Sequence, residues 1–109
     1  MKLTFIGIFC CVFIVSNSVL ANQNNVSKQR QKELFHIVKQ DCGSCHGMTL
    51  KGGLGTAILP EDLKNKPIDF LTFTIINGRP GTAMPPWKEI LTPIEAKWIA
   101  QELKKGTFK

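Results

Sequence analysis

Cys42-Gly43-Ser44-Cys45-His46 decides how this chain is read. Two thiols three residues apart, with an imidazole directly after the second, is the spacing that attaches a haem covalently. The two intervening residues let each thiol add to one of two neighbouring vinyl groups, and the His46 ring is left to ligate the iron from one face. Cys42 and Cys45 are thus candidate attachment sites for one haem c, and His46 its candidate axial ligand.

Two other chemistries use the same residue types. A C-x-x-C pair can be a thiol redox centre, but such centres follow a strand in a βαβ setting, and no convincing strand precedes Cys42. A structural zinc site needs four ligands, yet outside the N-terminal segment the only further Cys or His is His36.

The N-terminus reads as an export address. Lys2 is a short positive region, Leu3 to Val15 is an apolar run broken only by Thr4 and Gly7, and Ser18-Val19-Leu20-Ala21 offers a signal-peptidase site. The expectation is a signal peptide over 1–21, cleaved after Ala21, and a periplasmic protein. A retained anchor is the rival, disfavoured because the run is shorter than a membrane-spanning helix requires. Cys10 and Cys11 lie in this segment and leave with it.

Removing residues 1–21 from 109 leaves 88, enough for one small domain whose core needs a staple. A covalent haem supplies one through its apolar faces. Loss of Lys2 lowers the formal charge from +6 to +5. The lysines are scattered singly, without a basic block or interleaved aromatics, which excludes a nucleic-acid binder and suits a solvated surface with some steering toward an acidic redox partner.

Residues 22–27 read as a flexible leader and 28–109 as the domain. Ser27 caps a helix running to about Gln40, with Leu34, Phe35, Ile37 and Val38 on its apolar face. The motif comes next, and glycines at 43, 47, 52, 53 and 55 make Gly43 to Ile58 a loop that lets backbone approach a planar cofactor. Pro60-Glu61-Asp62 predicts a helical turn. Pro67 predicts the first position of a helix ending before Gly78, although the apolar pattern over 68–76 also fits a strand. Thr92-Pro93-Ile94-Glu95 is a capping box, opening a helix that Gly106 ends. Ile94, Trp98, Ile99 and Leu103 should line its inner side, with Glu95, Lys97, Glu102 and Lys104 toward water and the helix before Cys42 as its partner.

A second iron ligand should be a soft one from the opposite face. Met1 leaves with the signal, and Met48 comes too soon after His46 to cross the ring. Met84 remains, in the stiff loop Gly78-Arg79-Pro80-Gly81-Thr82-Ala83-Met84-Pro85-Pro86-Trp87. A methionine more often fills core space, but beside a haem motif it is the candidate axial sulfur. His36 is the rival, placed on the helix before the motif and expected at the surface.

Cys42 to His46, Met84-Pro85 and the flanking helices resemble the class I cytochromes c across nearly all of residues 28–109. The stretch from Asp41 to Gly55, together with Gly78 to Trp87, is similar to the small NirC-type cytochromes associated with haem-d-containing dissimilatory nitrite reductase. The resemblance implies an all-α fold in which N- and C-terminal helices pack together around one haem c, with Cys42 and Cys45 as thioether sites and His46 and Met84 as iron ligands. Two positions depart from the class. Leu34 and Val38 stand where a glycine and an aromatic are common, leaving Phe35 and Trp98 to supply the aromatic contact. Gly55-Thr56-Ala57-Ile58 replaces a common Gly-Pro-x-Leu, though Thr56 keeps a carbonyl able to accept the His46 ring N–H. Arg79 is a candidate partner for a haem propionate.

The function expected is a periplasmic monohaem electron carrier serving a dissimilatory nitrite reductase or a related terminal reductase. Its partners would be a redox donor and acceptor and the haem-attachment machinery, and it would act as a monomer without a stable membrane span. No acid/base pair or nucleophile stands out, so it reads as a non-enzyme. Two alternatives stay open: an electron-supplying or assembly factor in maturation of the reductase haem, and a gas-binding or peroxidatic haem protein if Met84 is not a ligand.

Overall fold

A computed structural model describes residues 25–109; the expected signal segment and the first residues of the leader lie outside them. Five α-helices and one wider helical turn make up the regular structure, and there is no strand among the described residues. The all-α expectation holds.

Helix α1 (Lys28–Ile37) starts as predicted: Ser27 is extended and its hydroxyl accepts the Arg30 N–H at 3.2 Å. It does not stop at Gln40. Val38–Cys42 form a π turn that runs on into α2 (Gly43–His46), so the motif is itself helical and the loop begins only at Gly47. One added residue in the turn rotates the later positions by about 100° around the helix axis. Cys42 is thereby half-buried while Asp41 stays exposed.

The turn at Pro60 is α3 (Pro60–Leu63), with the Asp62 carboxylate accepting the Leu59 N–H at 3.0 Å. Helix α4 (Ile68–Asn77) settles the 68–76 ambiguity, and Pro67 is its extended N-cap rather than its first helical residue. Its β-branched residues fit a helix because the hydroxyls of Thr72 and Thr74 donate to the carbonyls of Ile68 and Phe70, each at 2.8 Å. Helix α5 (Pro93–Lys105) carries the complete capping box: Thr92 Oγ1 accepts from Glu95 N at 3.3 Å, and the Glu95 carboxylate accepts from Thr92 N at 2.8 Å.

Leu34, Val38, Leu50, Leu63, Leu71, Leu91, Ile99, Ala100, Leu103 and Phe108 form one core. Helix α5 lies closest to α4. Its meeting with α1 is made by side chains: Arg30 Nε donates to Glu95 at 2.6 Å, and Phe108 sits between Phe35 (5.4 Å) and Trp98 (6.2 Å). Three details depart from the pattern reading. Ile94 is 40% exposed because it stands in the first turn, past the end of the core. Glu95 and Glu102, expected in water, are largely covered and tied to Arg30 and Lys105. Among the described residues, no helix is long and apolar enough to cross a membrane.

Candidate functional site

The Cys42–His46 segment and the Met84 loop face a common cavity of about 530 Å³. Cys42, His46 and Met84 line it, and its walls are Leu63, Leu71, Ile75, Trp87, Leu91, Ile99 and Leu103. A smaller pocket of about 190 Å³ shares Cys42, His46, Met84 and Trp87 and adds Cys45, Leu54 and Pro85. All four residues singled out in the sequence are therefore brought together around one slot. His36 is exposed and lines neither cavity.

His46 is the last residue of α2, and the loop after it folds back onto the motif. Gly52 N donates to His46 O at 2.8 Å and Gly55 N to Cys45 O at 2.8 Å. This return brings the Thr56 carbonyl to 2.6 Å from His46 Nδ1. A carbonyl only accepts, so Nδ1 carries the proton and the Nε2 lone pair is free for a metal. Gly55 leaves little room for a side chain beside the ring: a Cβ there would stand 3.0 Å from His46 Nδ1.

Cys42 and Cys45 are thiols, not a disulfide. Burial, with help from the Asp41 charge, pushes the Cys42 thiol up to about 11. Cys42 is thus the reverse of a lowered, attacking thiol. Nor do three His, Cys, Asp or Glu side chains converge to hold a metal among the described residues, so the zinc reading lacks a ligand set.

Met84 is half-buried, and its loop is closed by main-chain bonds. Arg79 N donates to Met84 O at 3.1 Å, and Trp87 N to Ile75 O and Ile76 O at 3.2 and 3.1 Å. Thr82 Oγ1 donates to Arg79 O at 2.6 Å and accepts from Met84 N at 3.3 Å. Gly78, at φ +67°, makes the closure possible: a Cβ there would lie 2.6 Å from Pro85 C and 2.7 Å from Met84 O.

The slot suits a flat apolar macrocycle. Its size is that of a cofactor site, its walls are aliphatic and aromatic, and its polar groups are few and placed for distinct roles. Cys42 lines both cavities and Cys45 the smaller one, an oriented imidazole opens onto both, and a thioether is carried by the separate loop.

Phe108 is the main residue that pattern reading missed. It is 1% exposed, and its carbonyl accepts from Lys39 Nζ at 3.0 Å, fastening the chain end to the helix that leads into the motif. Its signal was a large apolar residue just past the glycine that ends α5.

Comparison with known proteins points the same way. Residues 29–101 match the family model described as cytochrome c oxidase, cbb3-type, subunit III. Cytochrome c55X of Pseudomonas aeruginosa is 49% identical over 78 residues, covering 72% of this chain and 66% of that protein, just under two thirds of its length. A solved structure of a c-type cytochrome NirC superposes with a TM-score of 0.75 at 46% identity, covering 76% of this chain and 98% of that one. The dihydro-heme d1 dehydrogenase NirN, solved in complex with DHE, superposes at 0.58 and 30% identity over 63% of this chain and 15% of its own.

Proposed function

The chain belongs to the cytochrome c family whose model spans residues 29–101, and from that premise we propose that it is a periplasmic monohaem carrier of single electrons to a dissimilatory nitrite reductase. The observation that carries this reading is the cavity on which Cys42, His46 and Met84 converge, with the His46 ring oriented by Thr56 O at 2.6 Å. Cys42 and Cys45 would attach the haem, and His46 Nε2 and Met84 Sδ would hold its iron. When bound, the haem supplies a one-electron couple between ferrous and ferric iron.

The chain's own residues tune that couple. A neutral thioether opposite imidazole favours the ferrous state more than a second imidazole does, and an apolar slot disfavours added positive charge. Both effects raise the potential, as suits a donor to a terminal reductase. The Thr56 carbonyl keeps the ring in the tautomer that ligates, and Leu71, Ile75 and Trp87 keep water from the slot. The test is stopped-flow mixing of the reduced holoprotein with purified nitrite reductase. Rapid oxidation supports the carrier role, and no faster oxidation than in buffer refutes it.

A role in maturation of the reductase haem is the second reading, favoured by the 30% identity to a protein named as a dihydro-heme d1 dehydrogenase. Deleting the gene separates the two. Loss of haem from the reductase marks a maturation factor, whereas a fully loaded reductase starved of electrons marks a carrier.

A further inference from the structure

We propose that Lys66 binds a haem propionate, on the side of the cavity away from Cys45; the proposal rests on the haem c reading above. A haem carries its two vinyl groups along one edge and its two propionates along the opposite one. The attachment cysteines therefore fix where the carboxylates must go. Cys45 lines only the smaller pocket, with Leu54, Ala83 and Pro85, whereas Asp62, Lys66 and Phe70 line only the larger cavity.

Two carboxylates beside apolar walls need cations or strong donors. The fixed cations lining the larger cavity are Lys66 and Arg79, and Arg79 also lines the smaller pocket that holds Cys45. Among the described residues, neither lies within 4.0 Å of a carboxylate, unlike Arg30, Lys105 and Lys109. Asp62 is the one carboxylate on the cavity wall, and it is engaged with the Leu59 N–H at the start of α3.

Lys66 is also held in place. Its N–H donates to Leu63 O at 2.9 Å, its carbonyl accepts from Lys104 Nζ at 2.5 Å, and its ammonium stands 5.8 Å from the centre of the Phe70 ring. Lys64, two residues earlier and likewise exposed, lines neither cavity. It is a built-in control for loss of surface charge.

The experiment compares the haem-loaded wild type with K66M, K66R and K64M by redox titration and by proton NMR of the ferric protein. Losing a cation beside the haem favours the ferric state, so K66M lowers the midpoint potential, K66R restores it and K64M leaves it unchanged. The propionate methylene resonances move in K66M and not in K64M. Equal potential shifts in K66M and K64M, or propionate resonances unmoved in K66M with the haem spectrum normal, overturn the Lys66 assignment alone. A wild type that acquires no covalent haem overturns this assignment together with the reading beneath it.

Discussion

The two walls of the slot hold their key side chains in different ways. On one side His46 ends a continuous helical path from Lys28, and its ring is gripped directly by the Thr56 carbonyl at 2.6 Å. On the other, Met84 sits in a non-helical loop whose hydrogen bonds reach its N–H and C=O, and among the described residues no hydrogen bond holds its sulfur. The first wall fixes a side chain; the second fixes a backbone and lets the thioether find its place. A thioether is a weak acceptor with three rotatable bonds, so backbone placement is the main control the chain has over it. The Met84 wall should accordingly be the one that yields first.

Gly78→Ala is the most damaging test of that contrast. The new Cβ meets Pro85 and Pro86 backbone at 2.6 Å, at a φ of +67° that alanine adopts only with strain. The combined cost is about 3 kcal/mol or more. Covalent haem should still form through Cys42 and Cys45, while the far-red sulfur-to-iron band disappears and reduced protein begins to bind carbon monoxide. Retention of the band would mean that the loop does not govern Met84.

The matching change on the helical wall is Gly55→Ala, whose Cβ stands 3.0 Å from His46 Nδ1 and 3.1 Å from Cε1. Here the obstacle is a ring able to tilt, so the expected cost is about 1–2 kcal/mol. The sulfur band should persist, with a shifted potential as the Nδ1 bond to Thr56 O lengthens. If Gly55→Ala abolished the band while Gly78→Ala spared it, the order of the two walls would be reversed.

This difference between the walls also marks which features are legible in the sequence. Cys42, Cys45 and His46 announce themselves because their chemistry is local, and so do the Thr92–Glu95 box and the Thr56 carbonyl, each within ten residues of its partner. Met84 needs the haem motif to give it meaning. The residues that escape reading act over distance: Arg30 meets Glu95 across 65 positions, and Phe108 binds the start of the domain to its end. Periodicity also cannot foresee a π turn, since one inserted residue leaves the apolar pattern of Leu34 and Val38 intact and changes only the facing of later residues. The pattern over 68–76 is ambiguous because its apolar residues alternate as well as recur at helical spacing, and only in the folded chain do the Thr72 and Thr74 hydroxyls show their bonds to the helix carbonyls of Ile68 and Phe70.

Thr82→Val probes the Met84 wall more gently. It removes a hydroxyl that donates to Arg79 O at 2.6 Å and accepts from Met84 N at 3.3 Å, leaving the main-chain closure in place. A loss of about 1 kcal/mol is expected in denaturant unfolding of the holoprotein. Because the backbone is the control point, the sulfur band should weaken on warming at a lower temperature than in wild type, while the histidine side is unaltered. An unchanged thermal profile of the band would place the control in Gly78 and the prolines alone.

The smallest effect belongs to the frame behind both walls. Burial works to raise the Glu95 carboxyl, but the hydrogen bonds from Arg30 and Thr92 outweigh it and hold the group below the ordinary carboxylate value. A carboxylate lowered by folding stabilises fully above its unfolded value near 4.5, and that contribution is lost as the pH falls through its folded value. Stability of the holoprotein should therefore be flat in this respect at neutral pH and decline as the pH falls below about 4.5. Glu95→Gln should lower the thermal midpoint at pH 7 and flatten the decline below 4.5, since the variant has no proton to take up there. Because Arg30–Glu95 joins α1 to α5 outside the slot, neither the His46 nor the Met84 side should respond differently from the other. A selective loss of the sulfur band in Glu95→Gln at pH 7 would show that the weakness of the Met84 wall is inherited from the helix junction and not from its loop.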